Sequence, residues 1–146
     1  MMDFFLENCK KLTLIKGNHD KIIDPIASRR NLKPVLGYKI GDSYICHGDF
    51  IPNDLEFYEA KNIIIGHEHP AISLRKSGRV ETYKCFLIGK WKRKKLYVTP
   101  SFNLVVEGTN ILKEKLLSPF LKQDLKNFHV FIVEDEIYDF GKLKDL

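Results

Sequence analysis

Long apolar runs are absent from this chain of 146 residues, and none approaches the roughly 20 residues that a helix needs to cross a bilayer. The first residues include the acidic Asp3 and Glu7 and lack the sustained apolar segment of a signal peptide. Cysteine is also scarce, since Cys9, Cys46 and Cys85 are widely spaced and odd in number, which does not indicate a disulfide framework. We therefore expect a cytoplasmic protein with reduced thiols and no membrane partner.

The remaining composition is that of a globular protein. Hydrophobic residues make up 44% of the chain and aromatic residues 12%, which excludes a disordered polypeptide. A chain of this length can bury one core, so we predict a single domain over residues 1–146.

The positive charge of the chain is concentrated in one short segment. The chain has 24 basic and 19 acidic residues, and residues 90–95 contribute five of the basic ones around the only tryptophan, Trp91. One interpretation is a nucleic-acid contact in which Trp91 stacks on a base and the cations neutralise phosphates. The other is a solvated hairpin tip between two strands, which we favour, although the basic run can still attract a phosphorylated substrate.

Histidines follow the apolar, strand-like segments of the chain. Four of the five histidines lie directly after such segments: His19, His47, His67 and His69. The clearest case is the run at residues 63–65 before Gly66, which is typical of a buried strand. Ligands collect at the carboxyl ends of strands in α/β sheets, and imidazoles gathered there suit Mn, Fe, Zn or Ni. The fifth histidine, His129, lies inside an apolar strand pattern and is predicted to be structural.

The ordered motifs GNHD at residues 17–20, HGD at 47–49 and GHEHP at 66–70 resemble those of the calcineurin-like metallophosphoesterase family. The archaeal and bacterial branch that includes nucleases and small phosphodiesterases is the most similar. The resemblance covers about residues 10–110 and includes the segment at 99–103. It implies an α/β fold, a four-layer αββα sandwich, and hydrolysis of phosphomonoesters or phosphodiesters by a hydroxide shared between two divalent ions. Mn²⁺ fits the ligand types best, with Fe, Ni or Zn as alternatives.

The resemblance also assigns roles to individual residues. Asn18, His47 and His67 would bind the second metal, and His69 would bind the first. His19 would bind neither ion, and would act as the general acid that protonates the leaving alkoxide.

Three further residues are predicted to support the site. Asp20 would fix its loop or orient a neighbour, and Asp49 would be an acceptor behind the ligands or a substrate contact. Arg29 would contact the substrate phosphate or be solvated. Glu68 receives no predicted role.

The sequence also departs from the family pattern. Family members begin with an Asp-x-His strand end and a Gly-Asp motif, and neither precedes GNHD here. We therefore expect a domain that is truncated at its N-terminus, with a partner chain or self-association supplying the missing strands. Two alternatives stay open: a non-catalytic scaffold that binds at most one metal, and a nucleic-acid-binding module that uses the basic run.

Hydrophobic periodicity and turn residues predict the secondary structure. Asp54 is the predicted N-cap of a helix over 55–61, and Gly41 with Asp42 is the predicted turn of a hairpin. Helices are also predicted at 3–10 and 110–117. Strands are predicted at 12–16, 35–40, 43–46, 62–65, 71–75, 79–88, 95–99, 128–133 and 136–140.

Overall fold

A nine-stranded mixed sheet organises residues 2–76 and 78–146, which are the residues that the computed structural model describes. The strands are β1 (Gly37–Ile40), β2 (Ser43–Cys46), β3 (Asn62–Ile65), β4 (Pro70–Lys76), β5 (Arg79–Trp91), β6 (Lys94–Val98), β7 (Thr109–Asn110), β8 (His129–Val133) and β9 (Ile137–Lys142). The α-helices are α1 (Met2–Asn8), α2 (Ile23–Ser28) and α3 (Leu55–Glu59). Short 3₁₀ helices cover Pro119–Leu121 and Leu143–Asp145. The predicted α/β class is confirmed.

The order of the strands brings the histidine motifs to one end of the sheet. Strands follow the order β1-β2-β3-β6-β5-β4-β7, and β8 pairs with both β5 and β9. β2, β3 and β6 run parallel, so their carboxyl ends lie side by side. The helices of the described residues are short, and none is long and apolar enough to cross a membrane.

β3 lies between β2 and β6, and its β-branched residues are buried in alternation. Ile63 and Ile65 are 0% and 1% exposed, and they pair in register with the equally buried Leu96 and Val98 of β6. β-Branched side chains pack well on a pleated surface, which explains why this short run forms a stable strand. The strand therefore provides a rigid base for the loop that begins at Gly66.

An aromatic cluster packs beside this strand. The ring of Phe57 lies 5.9 Å from that of Trp91 and 6.2 Å from that of Phe120, and Trp91 and Phe120 are 5.0 Å apart. Trp91 is only 8% exposed. The interpretation in which Trp91 stacks on a nucleic-acid base is therefore wrong, because its ring belongs to the core. The basic run does form the predicted hairpin, in which Trp91 pairs with Lys94.

The predicted N-cap of α3 is confirmed. The Asp54 carboxylate accepts a hydrogen bond of 2.8 Å from the Phe57 N–H, as an N-cap residue does. Its second oxygen accepts a bond of 2.7 Å from the Tyr44 hydroxyl. These two bonds tie the helix to β2 and fix both ends of the loop that begins with His47.

Two predicted elements are wrong. Residues 12–16 do not form a strand, because Ile15 makes one isolated bridge to Val35 and no other pairing with the described residues. Residues 110–117 do not form a helix, because β4 captures Asn110 as part of β7 and the Ile111 N–H bonds to Ala71 O. The first segment has no further strand to pair with among the described residues. In the second, pairing with β4 overrides the local helix propensity.

The three cysteines differ in burial and should therefore differ in reactivity. Cys9 is exposed, whereas burial raises the pKa of Cys46 and of Cys85 to about 12. Because the thiolate is the reactive form, we expect a thiol reagent such as DTNB to label one cysteine rapidly in the native protein and all three after denaturation. The Cys9→Ser variant should show no rapid phase. Rapid labelling of a second thiol in that variant would contradict the packing of β2 and β5.

Candidate metal centre

The loops that follow β2 and β3 meet at the carboxyl ends of these parallel strands. The backbone carbonyl of His47 accepts hydrogen bonds from the N–H groups of Gly66 and His67, at 3.0 and 2.9 Å. Gly48 adopts φ +103°, and a Cβ added there would lie 2.7 Å from Ile65 Cβ. The close approach of the two loops therefore requires glycine at this position.

Three side chains predicted as metal ligands converge at this point. His47 Nε2 lies 2.9 Å from Asn18 Oδ1 and 3.0 Å from His67 Nδ1. The two imidazole rings are 4.9 Å apart and almost perpendicular, at 70°. Asn18, His47 and His67 thus bring one amide oxygen and two imidazole nitrogens together, and we call them the three-donor cluster.

The loop that carries Asn18 is shaped by its neighbours. The Gly17 N–H donates a 2.8 Å hydrogen bond to Asp20 Oδ2, which closes the turn. A Cβ on Gly17 would lie 3.0 Å from Cε1 of His47, so the backbone can approach the imidazole this closely only without a side chain. Asp20 is therefore placed to fix this turn, and its charge also acts on His47.

The electrostatic environment favours neutral histidines. The pKa of His47 is lowered, first by burial and then by the neighbouring His67. The pKa of His69 is lowered by the same two causes, with smaller contributions from Lys84 and His19. Because a metal binds the deprotonated imidazole nitrogen, these shifts keep both side chains in a form that can coordinate at neutral pH.

His69 lies next to the three-donor cluster in an unusual backbone conformation. Its φ is +49°, and its carbonyl accepts a 2.9 Å hydrogen bond from the Thr109 N–H. Gly108 makes this contact possible, since a Cβ there would lie 2.3 Å from His69 O. No side-chain hydrogen bond joins His69 to the cluster in the described residues. His19 is exposed, and its charge is close enough to affect His69.

Asp49 contributes a buried carboxylate oxygen to this region. Its Oδ1 atom is buried and has no hydrogen-bond partner in the described residues. Its negative charge acts on the neighbouring His47 by raising the pKa of that imidazole. A buried, unpaired carboxylate oxygen is costly unless a cation or a donor is close. The mixed oxygen and nitrogen donors of this region therefore fit a divalent ion such as Mn²⁺.

Glu68 has a role that the sequence did not reveal. It is 2% exposed, and its Oε2 accepts hydrogen bonds from the backbone N–H groups of Leu117 and Ser118, at 3.0 and 2.8 Å. The Ser118 hydroxyl in turn donates to Gly48 O at 2.7 Å. Glu68 thus connects the two histidine loops to a distant segment. No sequence signal identifies this contact, because the partners lie 49 and 50 positions away.

Arg29 and Lys84 are basic residues that differ in their position relative to the cluster. Arg29 is exposed at the end of α2, where its N–H bonds to Pro25 O at 3.4 Å, and the structure does not bring its side chain to the cluster. Lys84, which the sequence did not indicate, donates to the carbonyls of Ser101 (3.1 Å) and Asn103. Lys84 therefore anchors the segment at 101–103 close to His69.

Among residues 2–76 and 78–146, no three side chains of the types His, Cys, Asp and Glu alone form a group that could hold a metal. The cluster described above depends on the amide oxygen of Asn18. Comparisons with models of known families, with curated proteins and with solved structures found no match.

Proposed function

We propose that this chain is a metal-dependent phosphoesterase, a hydrolase whose site is built on the three-donor cluster and His69. The observation that carries the proposal is the convergence of three donor atoms. His47 Nε2 lies 2.9 Å from Asn18 Oδ1 and 3.0 Å from His67 Nδ1. His47 and His67 follow the parallel strands β2 and β3, and together with Asn18 they are the set that the motif resemblance assigns to the second metal. A four-layer αββα sandwich remains part of the same proposal.

Divalent ions bound at such a site supply a hydroxide nucleophile near neutral pH and polarise the phosphoryl oxygens. The residues of this chain would do the remaining work. Asn18, His47 and His67 would hold one ion and fix its position, and Asp49 would offset its charge. His19, which is exposed, would bind the phosphate and donate a proton to the leaving alkoxide, as a histidine general acid does.

His69 is the ligand proposed for the other ion. In the family that the motifs resemble, the remaining ligands of this ion come from motifs that this sequence does not contain before GNHD. We propose that they come from a partner chain or from a second copy of this chain. A larger mass in light scattering after mixing with Mn²⁺ would support self-association, and a constant monomer mass would contradict it.

A non-catalytic scaffold is the second candidate, and one observation favours it. The described side-chain contacts join Asn18, His47 and His67 but do not include His69. A chain with only these three donors would bind one ion and would not assemble a two-ion centre.

Metal stoichiometry and turnover, measured together, test both candidates. The purified chain is loaded with Mn²⁺, passed through a desalting column and analysed for metal, and then assayed with bis-p-nitrophenyl phosphate. Two ions per chain with turnover would support the phosphoesterase. One ion without turnover would support the scaffold, and no bound ion would contradict both.

A further inference from the structure

A basic groove of about 1090 Å³ extends along β5 and β8 from the hairpin that joins β5 and β6. Six cationic side chains line this basic groove: Lys61, Lys90, Lys92, Arg93, Lys94 and Lys95. Asp124 is the one acidic residue in its lining. The lining of the groove is therefore strongly positively charged.

The cationic end of the basic groove and the metal centre lie at opposite ends of β3. Lys61 immediately precedes the strand, whereas His67 follows it, and β6 runs parallel from Lys95, opposite Asn62, to Val98, opposite Ile65. Four residues of extended chain span about 13 Å. The other end of the groove, at Phe131, lies on β8, which is three strands away from β3. The groove is thus a separate site, and its function does not depend on the proposed hydrolysis.

Two of the six cations are already used by the fold. Lys61 forms an ion pair of 2.8 Å with Asp42. Lys94 donates to the carbonyl oxygens of Tyr58 (2.7 Å) and Ala60, where it ties β6 to the end of α3. The Asp124 carboxylate forms an ion pair of 3.8 Å with Lys126.

The other four cations have no ion pair with any described residue. Lys90 and Lys95 face each other across β5 and β6, and Lys92 with Arg93 forms the hairpin turn. Lys92 and Lys95 lie over the rings of Trp91 and Tyr97, at 4.5 and 4.9 Å, and both remain exposed. Four such charges close in sequence form an electrostatic site for consecutive phosphates.

Two aromatic side chains form part of the floor of the groove. His129 and Phe131 lie on the same face of β8, with ring centroids 6.3 Å apart and an interplanar angle of 24°. Both are half-buried and line the groove. Gly89 lies on the opposite, buried face of β5, where a Cβ would lie 2.4 Å from the ring of Phe128. Nearly parallel rings at the bottom of a cationic groove offer stacking surfaces to unpaired bases.

We propose that the basic groove binds single-stranded nucleic acid, with phosphates on Lys90, Lys92, Arg93 and Lys95 and bases against His129 and Phe131. Single strands fit better than a duplex because the bases of a duplex are already stacked and cannot reach rings on a groove floor. They also fit better than an acidic peptide, because unpaired bases use the aromatic floor as well as the charges.

Fluorescence anisotropy with a labelled oligo-dT of about 20 nucleotides tests this proposal, in EDTA so that the metal centre plays no part. Four phosphate contacts predict that raising the salt from about 50 to about 200 mM weakens binding roughly 50-fold, because the logarithmic slope for single strands is about −0.7 per contact. The combined variant Lys90→Gln, Lys92→Asn, Arg93→Gln and Lys95→Gln should bind at least about 20-fold more weakly at low salt.

A matched control removes the same charge elsewhere. Lys33, Lys113, Lys115 and Lys144 are exposed, lie outside the groove lining and form no ion pair with a described residue. Changing these four to Gln should alter binding by less than about threefold. An equal loss in both combined variants would overturn the groove as the site.

A second comparison tests the aromatic floor. Phe131→Leu keeps an apolar side chain in β8 but removes the stacking ring, and we expect at least about fivefold weaker binding with an unchanged melting temperature. Phe102→Leu, at a residue that is 95% exposed outside the groove, should bind like the wild type. Wild-type binding by Phe131→Leu, or equal competition by a duplex or by heparin, would overturn the assignment to single strands.

Discussion

Replacing His67 with alanine is expected to weaken Mn²⁺ binding more than 100-fold and to abolish any metal-dependent hydrolysis of bis-p-nitrophenyl phosphate. His67 Nδ1 lies 3.0 Å from His47 Nε2, so it is one of the three donor atoms of the cluster. Changes behind the ligands of a metal site typically cost 10- to 100-fold in affinity, and loss of a ligand itself should cost more. Isothermal titration calorimetry of the metal-free protein measures the first effect, and the chromogenic assay measures the second.

Substitutions at Asn18 separate ligation from simple packing. Asn18→Leu keeps the approximate shape but removes the oxygen that lies 2.9 Å from His47, and it should lose Mn²⁺ affinity as His67→Ala does. Asn18→Asp retains an oxygen donor and should bind the ion at least as well as the wild type, since carboxylates suit Mn²⁺. Equal affinity in all three variants and the wild type would show that the cluster is not a metal site.

Replacing Glu68 with alanine is expected to lower the free energy of unfolding by about 2–4 kcal/mol, because one buried and one partly buried N–H group would lose a charged acceptor. Those groups belong to Leu117 and Ser118, and their 3.0 and 2.8 Å bonds hold the segment at 117–118 against the histidine loops. Urea denaturation followed by circular dichroism measures the change. Metal affinity should fall as well, because the loop that carries His67 and His69 loses its support.

Two variants serve as references for the effect at Glu68. Glu68→Gln keeps one oxygen acceptor and should be destabilised by less than the alanine variant. Glu107 is exposed, and Glu107→Ala should stay within about 0.5 kcal/mol of the wild type. A Glu68→Ala protein as stable as Glu107→Ala would contradict the buried contact.

The elements that could be predicted from the sequence are those whose signals are local. β2 and β3 follow from apolar, β-branched runs that are punctuated by Gly41 and Gly66, and α3 follows from the capping residue Asp54. The approach of His47 and His67 could be expected from the rule that side chains gather at the carboxyl ends of neighbouring strands. Their separation of 3.0 Å depends on register, which no local pattern specifies.

The elements that could not be predicted depend on distant partners. Asn110 is drawn into β7 because its amide donates to Ser73 Oγ at 2.6 Å and its neighbour bonds to β4, so a helix-like sequence becomes a strand and a turn. Trp91 is buried because α3 and the 3₁₀ helix at Pro119–Leu121 bring Phe57 and Phe120 to it. Such contacts link residues dozens of positions apart, which hydrophobic periodicity does not encode.

The isolated bridge between Ile15 and Val35 affects the fraction of molecules in which the candidate centre is complete. Two backbone hydrogen bonds of 2.9 Å, Lys16 N to Val35 O and Val35 N to Leu14 O, join the segment before Asn18 to its neighbour. A segment with so few backbone bonds opens at a lower free energy than the strands of a core. The apparent affinity for a cation is then the intrinsic affinity multiplied by the fraction of molecules in which this segment is closed. A bound cation would hold the segment shut, so that amide hydrogen exchange at Lys16 slows on binding while exchange in β3 stays at the rate of global unfolding.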